Sequence, residues 1–106
     1  MSFKDGLKTI VVATDLEGRA DAALEYARYK IRVNCICPGL IDTPMAQELR
    51  TGELDPNSAD TMRRISPFGR MGTPEEISRT ALFLASDDST YATGATFVID
   101  GGWTAS

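Results

Sequence analysis

Ile31-Arg32-Val33-Asn34-Cys35-Ile36-Cys37-Pro38-Gly39-Leu40-Ile41-Asp42-Thr43-Pro44-Met45 is the stretch on which the fold turns. Residues 31–37 form an apolar run of strand length that reads as a strand buried on both faces, the condition of a strand inside a parallel sheet. Pro38-Gly39 stops it, because proline donates no backbone hydrogen bond and glycine opens a turn. Thr43 then suits a helix N-cap and Pro44 the first helical position, so a short helix is expected over residues 43–51.

Upstream, Leu7-Lys8-Thr9-Ile10-Val11-Val12-Ala13-Thr14 is a second β-branched run with the same buried-strand character. Asp15-Leu16-Glu17-Gly18 breaks it. Ala20, Ala23, Leu24 and Ala27 follow at i, i+3, i+4 and i+7, one apolar helical stripe, with Lys30 closing the helix. Downstream, residues 52–72 are rich in Gly, Pro, Asp, Asn and Ser and read as a surface excursion with a helical turn around Ala59–Ile65. Thr73-Pro74-Glu75-Glu76 is a capping box with proline at the first helical position. The helix it opens runs to about Ser86, with Ile77, Ala81 and Leu84 inward and Asp87-Asp88-Ser89 as its stop. Residues 95–100 make a third strand, closed by Gly101-Gly102. The order β-α-β-α-α-β, with helices between consecutive strands, implies right-handed crossovers: an α/β fold with a three-stranded parallel sheet, a Rossmann-like half-domain.

One compact domain over residues 1–106 suits this length, with residues 1–30 as a βα unit and 31–106 as the remainder. The composition, 42% hydrophobic and 25% charged, is that of a globular protein and excludes disorder of the whole. Net charge is −4, balanced over residues 1–30 and acidic thereafter. No basic stripe is present to neutralise a nucleic-acid backbone, so no nucleic-acid partner is expected. No apolar run approaches the roughly 20 residues of a membrane span and no signal-peptide core is visible, which points to a cytoplasmic protein without a membrane partner. Cys35 and Cys37 lie on one face of their strand, about 7 Å apart along it, and read as reduced core thiols. With two such ligands and no histidine in the chain, no metal site is expected.

Ligands of open α/β sheets bind beyond the carboxyl ends of the strands. Pro38, Gly39 and Ile41 stand there, with backbone groups that can read a flat amide such as nicotinamide, and Thr43 can offer a hydroxyl to a phosphate. A plain strand-to-helix turn with a primed cap explains the same residues. A resemblance adds to this. Residues 31–45, Ser66-Pro67-Phe68-Gly69-Arg70-Met71-Gly72-Thr73-Pro74-Glu75-Glu76-Ile77, Ala81-Leu82-Phe83-Leu84-Ala85-Ser86-Asp87 and Thr93-Gly94-Ala95-Thr96-Phe97-Val98-Ile99-Asp100-Gly101-Gly102-Trp103 resemble the C-terminal part of short-chain dehydrogenases/reductases, in order and spacing, over about residues 24–106. The resemblance implies a Rossmann-type fold and descent from an NAD(P)-dependent oxidoreductase. It also implies that backbone around Ile41 meets the nicotinamide amide and Thr43 a cofactor phosphate. Strand three and the Thr73–Ser86 helix would form a subunit contact, with Trp103 either packing there at the tail or standing as a partly exposed aromatic cap.

The sequence departs from that family in two places. The glycine-rich turn after the first strand is replaced by Ala13-Thr14-Asp15-Leu16-Glu17-Gly18, whose Asp15 and Glu17 repel a pyrophosphate. The Tyr-x-x-x-Lys proton-transfer pair is mimicked by Tyr26 and Lys30, but these adjoin the Arg-Val-Asn strand, where the family has the end of a helix. They read as a decoy, so no catalytic residue is assigned. Residues 7–28 also resemble the opening of universal stress proteins, nucleotide-binding parallel α/β folds with an aspartate after strand one. A junction near residues 24–30 then suggests a chimera, designed, selected or rearranged. The expected function is a catalytically incomplete, self-associating unit, a homo-oligomer with no cofactor, or NAD(P) if any. The alternatives are a reduced NAD(P)-dependent oxidoreductase and a stress-protein-type nucleotide-binding module. Met45, Met62 and Met71 are read as packing residues, and Arg63-Arg64 as a surface pair.

Overall fold

In a computed structural model of the chain, residues 8–12, 19–47 and 58–105 are described. The elements are β1 (Lys8–Val12), α1 (Arg19–Ala27), β2 (Ile31–Pro38), α2 (Pro44–Gln47), α3 (Ala59–Ile65), α4 (Pro74–Ala85) and β3 (Thr96–Ile99). Single 3-10 turns occupy Asp87–Ser89 and Trp103–Ala105. Three helices, rather than two, separate β2 from β3, because the turn expected around Ala59–Ile65 is a seven-residue helix capped by Ser58. The helix expected over 43–51 is described only as far as Gln47. The Asp15–Gly18 break lies outside the described residues.

The strands form one sheet in the order β1-β2-β3. The expected three-stranded parallel ladder is met in part. A continuous parallel register joins β1 to β2, from Lys8↔Ile31 to Val12↔Cys35. β3 is tied to β2 by Cys35 N donating to Ala95 O at 2.9 Å and Gly39 N donating to Ile99 O at 3.0 Å. At four residues β3 is short, because Gly94 (φ 68°), Gly101 (φ 64°) and Gly102 (φ 98°) turn the chain close to both of its ends.

The chain divides into two compact units. One comprises Met1–Cys37 with Ser78–Phe97, the other Pro38–Ile77 with Val98–Ser106. The first is organised around β2, whose residues Arg32 to Ile36 are all buried. Val33, Cys35, Ile36, Leu84 and Ala23 are its apolar core, and Phe83 meets Phe97 edge-on with ring centroids 6.3 Å apart. The second buries Ile65 and Ala46.

Two helical expectations change. α1 ends at Ala27, three residues before Lys30, which adopts φ 61°. Tyr29 and Lys30 donate their N–H groups to Tyr26 O and Ala27 O at 2.9 Å each, tightening the chain into a turn that enters β2. Of the α1 stripe only Ala23 is buried, and Leu24 is 77% exposed. α4 keeps its inward Leu84, wholly buried, with Ile77 and Ala81 half-buried. Asp87 and Asp88 do not simply stop α4; they form the next 3-10 turn, capped by the Ser86 hydroxyl accepting from Asp88 N. Met62 and Met71 are half-buried, but Met45 is 77% exposed and packs on little.

Candidate functional site

The turn leaving β2 is held from two sides. Gly39 lies so close to Asp100 that a Cβ on it would stand 2.7 Å from both Asp100 Cα and Cβ, so only glycine fits. Two residues on, Ile41 forms a parallel bridge with Gly72: Gly72 N donates to Leu40 O and Asp42 N donates to Gly72 O, each at 2.9 Å. A bridge of this kind uses the flanking groups of residue 41 and turns the N–H and C=O of Ile41 itself to the opposite edge. Those are the groups that can read an amide. A Cβ at Gly72 would fall 2.7 Å from Ile41 Cδ1, the movable end of a side chain rather than backbone. Nothing in the sequence around Gly72 signals its pairing with Ile41.

Thr43 is occupied as a cap. Its Oγ1 accepts from Ala46 N and donates to Ile41 O, both at 3.4 Å. Pro38 is exposed at the strand end.

Beneath the turn lies a cavity of about 90 Å³, lined by Ile41, Ile65, Phe68, Ile77 and Ile99 among others, with Arg70 and Glu76 at its edge. Arg70 donates to both carboxylate oxygens of Glu76, at 2.8 and 3.1 Å, and to Met71 O at 3.0 Å. Glu76 closes the capping box: its Oε1 accepts from Thr73 N at 2.9 Å, and Thr73 Oγ1 accepts from Glu76 N at 3.3 Å. The Arg70 hydrogen bond, then the Thr73 N–H, hold the Glu76 carboxyl down at about 2 from its usual 4.5. A carboxyl lowered on folding contributes stability above the unfolded value and loses it as the pH falls through the folded one. Stability from this clasp is therefore expected to be full above about pH 5 and to fall between pH 4.5 and 2. Acid titration of Glu76→Gln, followed by circular dichroism, should show a shallower fall over that window. Asp100 is lowered in the same sense, first by the Thr104 N–H and then by that of Gly102, which its carboxylate oxygens accept at 3.0 Å each.

In the other unit, β2 is fastened by two buried polar side chains. Arg32 donates to Thr9 Oγ1 at 2.6 Å and to the carbonyls of Leu84, Ser86 and Ala92 at 2.8, 3.3 and 3.1 Å. Burial lowers its pKa, against the opposing charge of Asp87. Asn34, wholly buried, donates to Ala92 O at 3.0 Å and accepts from Ala95 N at 3.2 Å. The buried Ser89 hydroxyl points at the carbonyls of Phe83, Leu84 and Ser86, at 2.8, 3.0 and 3.3 Å, and with one proton serves one of them at a time. Ala92 O therefore keeps a donor in Asn34 and Ser86 O keeps the Ser89 N–H at 3.4 Å, while the Ser89 hydroxyl is within reach of Leu84 O. Arg32→Met is expected to cost only about 1–2 kcal/mol. A urea melt in which this variant unfolds more readily than Asn34→Ala would contradict that order.

Tyr26 and Lys30 are not placed one helical turn apart. Tyr26 is on α1, partly exposed, whereas Lys30 lies beyond the helix end in a left-handed conformation. Cys35 is buried and Cys37 half-buried, with Sγ atoms 3.8 Å apart and no disulfide. Arg63 is exposed and paired with Asp60 at 2.8 Å, a surface ion pair; Arg64 beside it is exposed too. Trp103 is 40% exposed. No helix among the described residues is long and apolar enough to cross a membrane.

A family model described as enoyl-(acyl carrier protein) reductase matches residues 19–104. The short-chain dehydrogenase fogB of Aspergillus ruber is 43% identical over 84 residues, 79% of this chain and 30% of that protein. Oxidoreductase UcpA of Escherichia coli K12 is 48% identical over 85 residues, 77% of this chain and 32% of that protein. The chain belongs to the short-chain dehydrogenase/reductase family. A crystal structure of a short-chain type dehydrogenase/reductase from Mycobacterium marinum superposes with a TM-score of 0.77 at 31% identity, covering 92% of this chain and 45% of that one. A structure from Agrobacterium tumefaciens with bound NADP gives 0.81 at 29% identity, covering 92% and 47%. The chain thus spans about a third of the length of the curated dehydrogenases it matches.

The family match corrects the reading of the N-terminal unit. Its model begins at residue 19, inside the stretch that resembles stress proteins, and the solved dehydrogenases cover more of the chain than residues 24–106 contain. A buried apolar strand followed by an amphipathic helix is common to parallel α/β folds, so the pattern does not single out stress proteins. The comparisons lend the stress-protein unit, and the chimera drawn from it, no support. Within the family frame the Arg32-Val33-Asn34 motif is a fastening for β2, Gly72 and Glu76 brace the turn that carries Ile41, and Pro38 to Thr43 form that turn.

Proposed function

We propose that this chain supplies the nicotinamide-side wall of an NAD(P) site and transfers no hydride by itself. The observation that carries this reading is the bridge between Ile41 and Gly72, which sets the N–H and C=O of Ile41 on the outward edge of a braced turn. A carboxamide offers N–H donors and a carbonyl acceptor in one plane, and it suits such an edge. Bound there, the cofactor would supply hydride exchange; the chain's own part is to orient the amide through Ile41. Thr43 contributes indirectly, because its hydroxyl already caps α2 and steadies Ile41 O.

Two features support the lack of turnover. Tyr26 and Lys30 do not share a helix, so this pair is not set on one helical face as that proton exchange requires. The sequence between β1 and α1 carries Asp15 and Glu17, acids that would repel a pyrophosphate. Self-association belongs to the same reading: Val98 on β3 and, separately, Leu82 and Phe83 on α4 are large apolar side chains 42–55% exposed.

NADH titration by fluorescence and calorimetry tests the proposal. The expected result is saturable binding roughly a hundredfold weaker than that of a full-length relative, the equivalent of about 3 kcal/mol for the missing phosphate cradle. No NADH oxidation is expected with carbonyl substrates. Hydride transfer would overturn the claim of incompleteness, and no binding at all would overturn the claim of a nicotinamide wall. Solution mass, by light scattering, should exceed that of a monomer.

A further inference from the structure

We propose that Cys35 and Cys37 form a preset dithiol site for a soft, thiophilic centre that takes two sulfur ligands, of the class of monosubstituted trivalent arsenicals. β2 places both thiols on one face, and their Sγ atoms stand 3.8 Å apart. A centre bonded to two sulfurs at about 2.3 Å, at an angle between the roughly 95° of a pyramidal trivalent atom and the tetrahedral value, holds them about 3.4–3.8 Å apart, so bridging needs a closure of at most a few tenths of an ångström. A disulfide would require the same atoms to close to about 2.05 Å across neighbouring positions of a strand. The spacing therefore favours a bridging atom over oxidation.

The ligand count narrows the class. A divalent d10 cation seeks four ligands. Among the described residues no group of three His, Cys, Asp or Glu comes together to hold one. A monosubstituted arsenical is satisfied by two sulfurs. Access is through Cys37, which is half-buried, with the fully buried Cys35 closing the ring. Burial first, and then the neighbouring Cys35, raise the Cys37 thiol. That does not obstruct this reaction, because an arsenoxide consumes protonated thiols. Two As–S bonds replace the As=O and two S–H bonds, the oxygen leaves as water with both thiol protons, and neither sulfur is oxidised.

The test treats the full chain with phenylarsine oxide and follows native mass and thermal unfolding. The expected result is one adduct with the mass of the reagent less one water. It should survive excess glutathione, be removed by 2,3-dimercaptopropanol, and raise the unfolding midpoint as a native-state ligand does. Cys37→Ser, at the half-buried position, should abolish the glutathione-resistant adduct while leaving the fold intact, and Cys35→Ser should do the same where it folds. An adduct that glutathione strips, or persistence of the resistant adduct in Cys37→Ser, would overturn the proposal. So would an adduct that lowers the midpoint, since the thiols would then be meeting the arsenic only in the unfolded chain.

Discussion

Asn34→Ala is expected to lose about 3 kcal/mol of stability, seen as a lower urea midpoint at unchanged slope. The side chain is wholly buried, and both ends of its amide are in use. On the donor side the loss is softened, because Ala92 O still accepts from Arg32 at 3.1 Å. On the acceptor side, the Ala95 N–H loses Asn34 Oδ1, and an unsatisfied buried donor costs about 1–3 kcal/mol. The vacated volume adds a cavity term of similar size. Amide hydrogen exchange should localise the damage, with the Ala95 N–H losing protection more than its neighbours. A loss below about 1 kcal/mol would mean that water replaces the amide at no cost, and that Asn34 does not fasten β2.

Gly39→Ala is expected to be equally severe, at about 3 kcal/mol or a melting-temperature drop on the order of 10 °C. The new methyl would meet Asp100 Cα and Cβ at 2.7 Å, and Cα is backbone that cannot swing aside. Relief requires β2 and the Asp100 turn to separate, which stretches the Gly39 N to Ile99 O bond of 3.0 Å and disturbs the braced turn two residues away. Gly69→Ala is the control. Its φ of 81° carries the left-handed penalty, about 1–2 kcal/mol, but a Cβ there meets nothing within 4 Å. A Gly39→Ala variant no less stable than Gly69→Ala would show that the close approach is dispensable. Weakened NADH binding in Gly39→Ala at temperatures where it remains folded is the functional counterpart, because the Ile41 edge depends on the same turn.

Much of this architecture is legible in the linear pattern. The apolar run of β2, the Ser58-capped turn Ala59–Ile65 and the Thr73-Pro74-x-Glu76 box each form where local rules place them, since each is decided within a few residues. The end of α1 is not legible. Ala27, Arg28 and Tyr29 continue a helical stripe by composition, yet the chain must reverse into β2, and Lys30 takes a left-handed conformation to do so. The candidate site divides in the same way. Pro38-Gly39 and Thr43-Pro44 announce a turn at a strand end, but nothing near them says that Gly72 will bridge Ile41 or that Asp100 will press on Gly39. Arg32 and Asn34 fall in a run that reads as buried, but their partners are not legible: carbonyls more than fifty residues downstream receive them.

That dependence on distant carbonyls has a consequence for how the molecule is made. Apart from Thr9, every acceptor of the Arg32 guanidinium lies at Leu84 or later, and both partners of Asn34 lie at Ala92 and Ala95. During synthesis β2 leaves the ribosome with a cation and an amide that must stay hydrated until some sixty further residues have emerged. Closure of the sheet is thus a late, high-contact-order event, and a nascent chain paused before Ala92 exposes an open apolar strand to aggregation or to a chaperone.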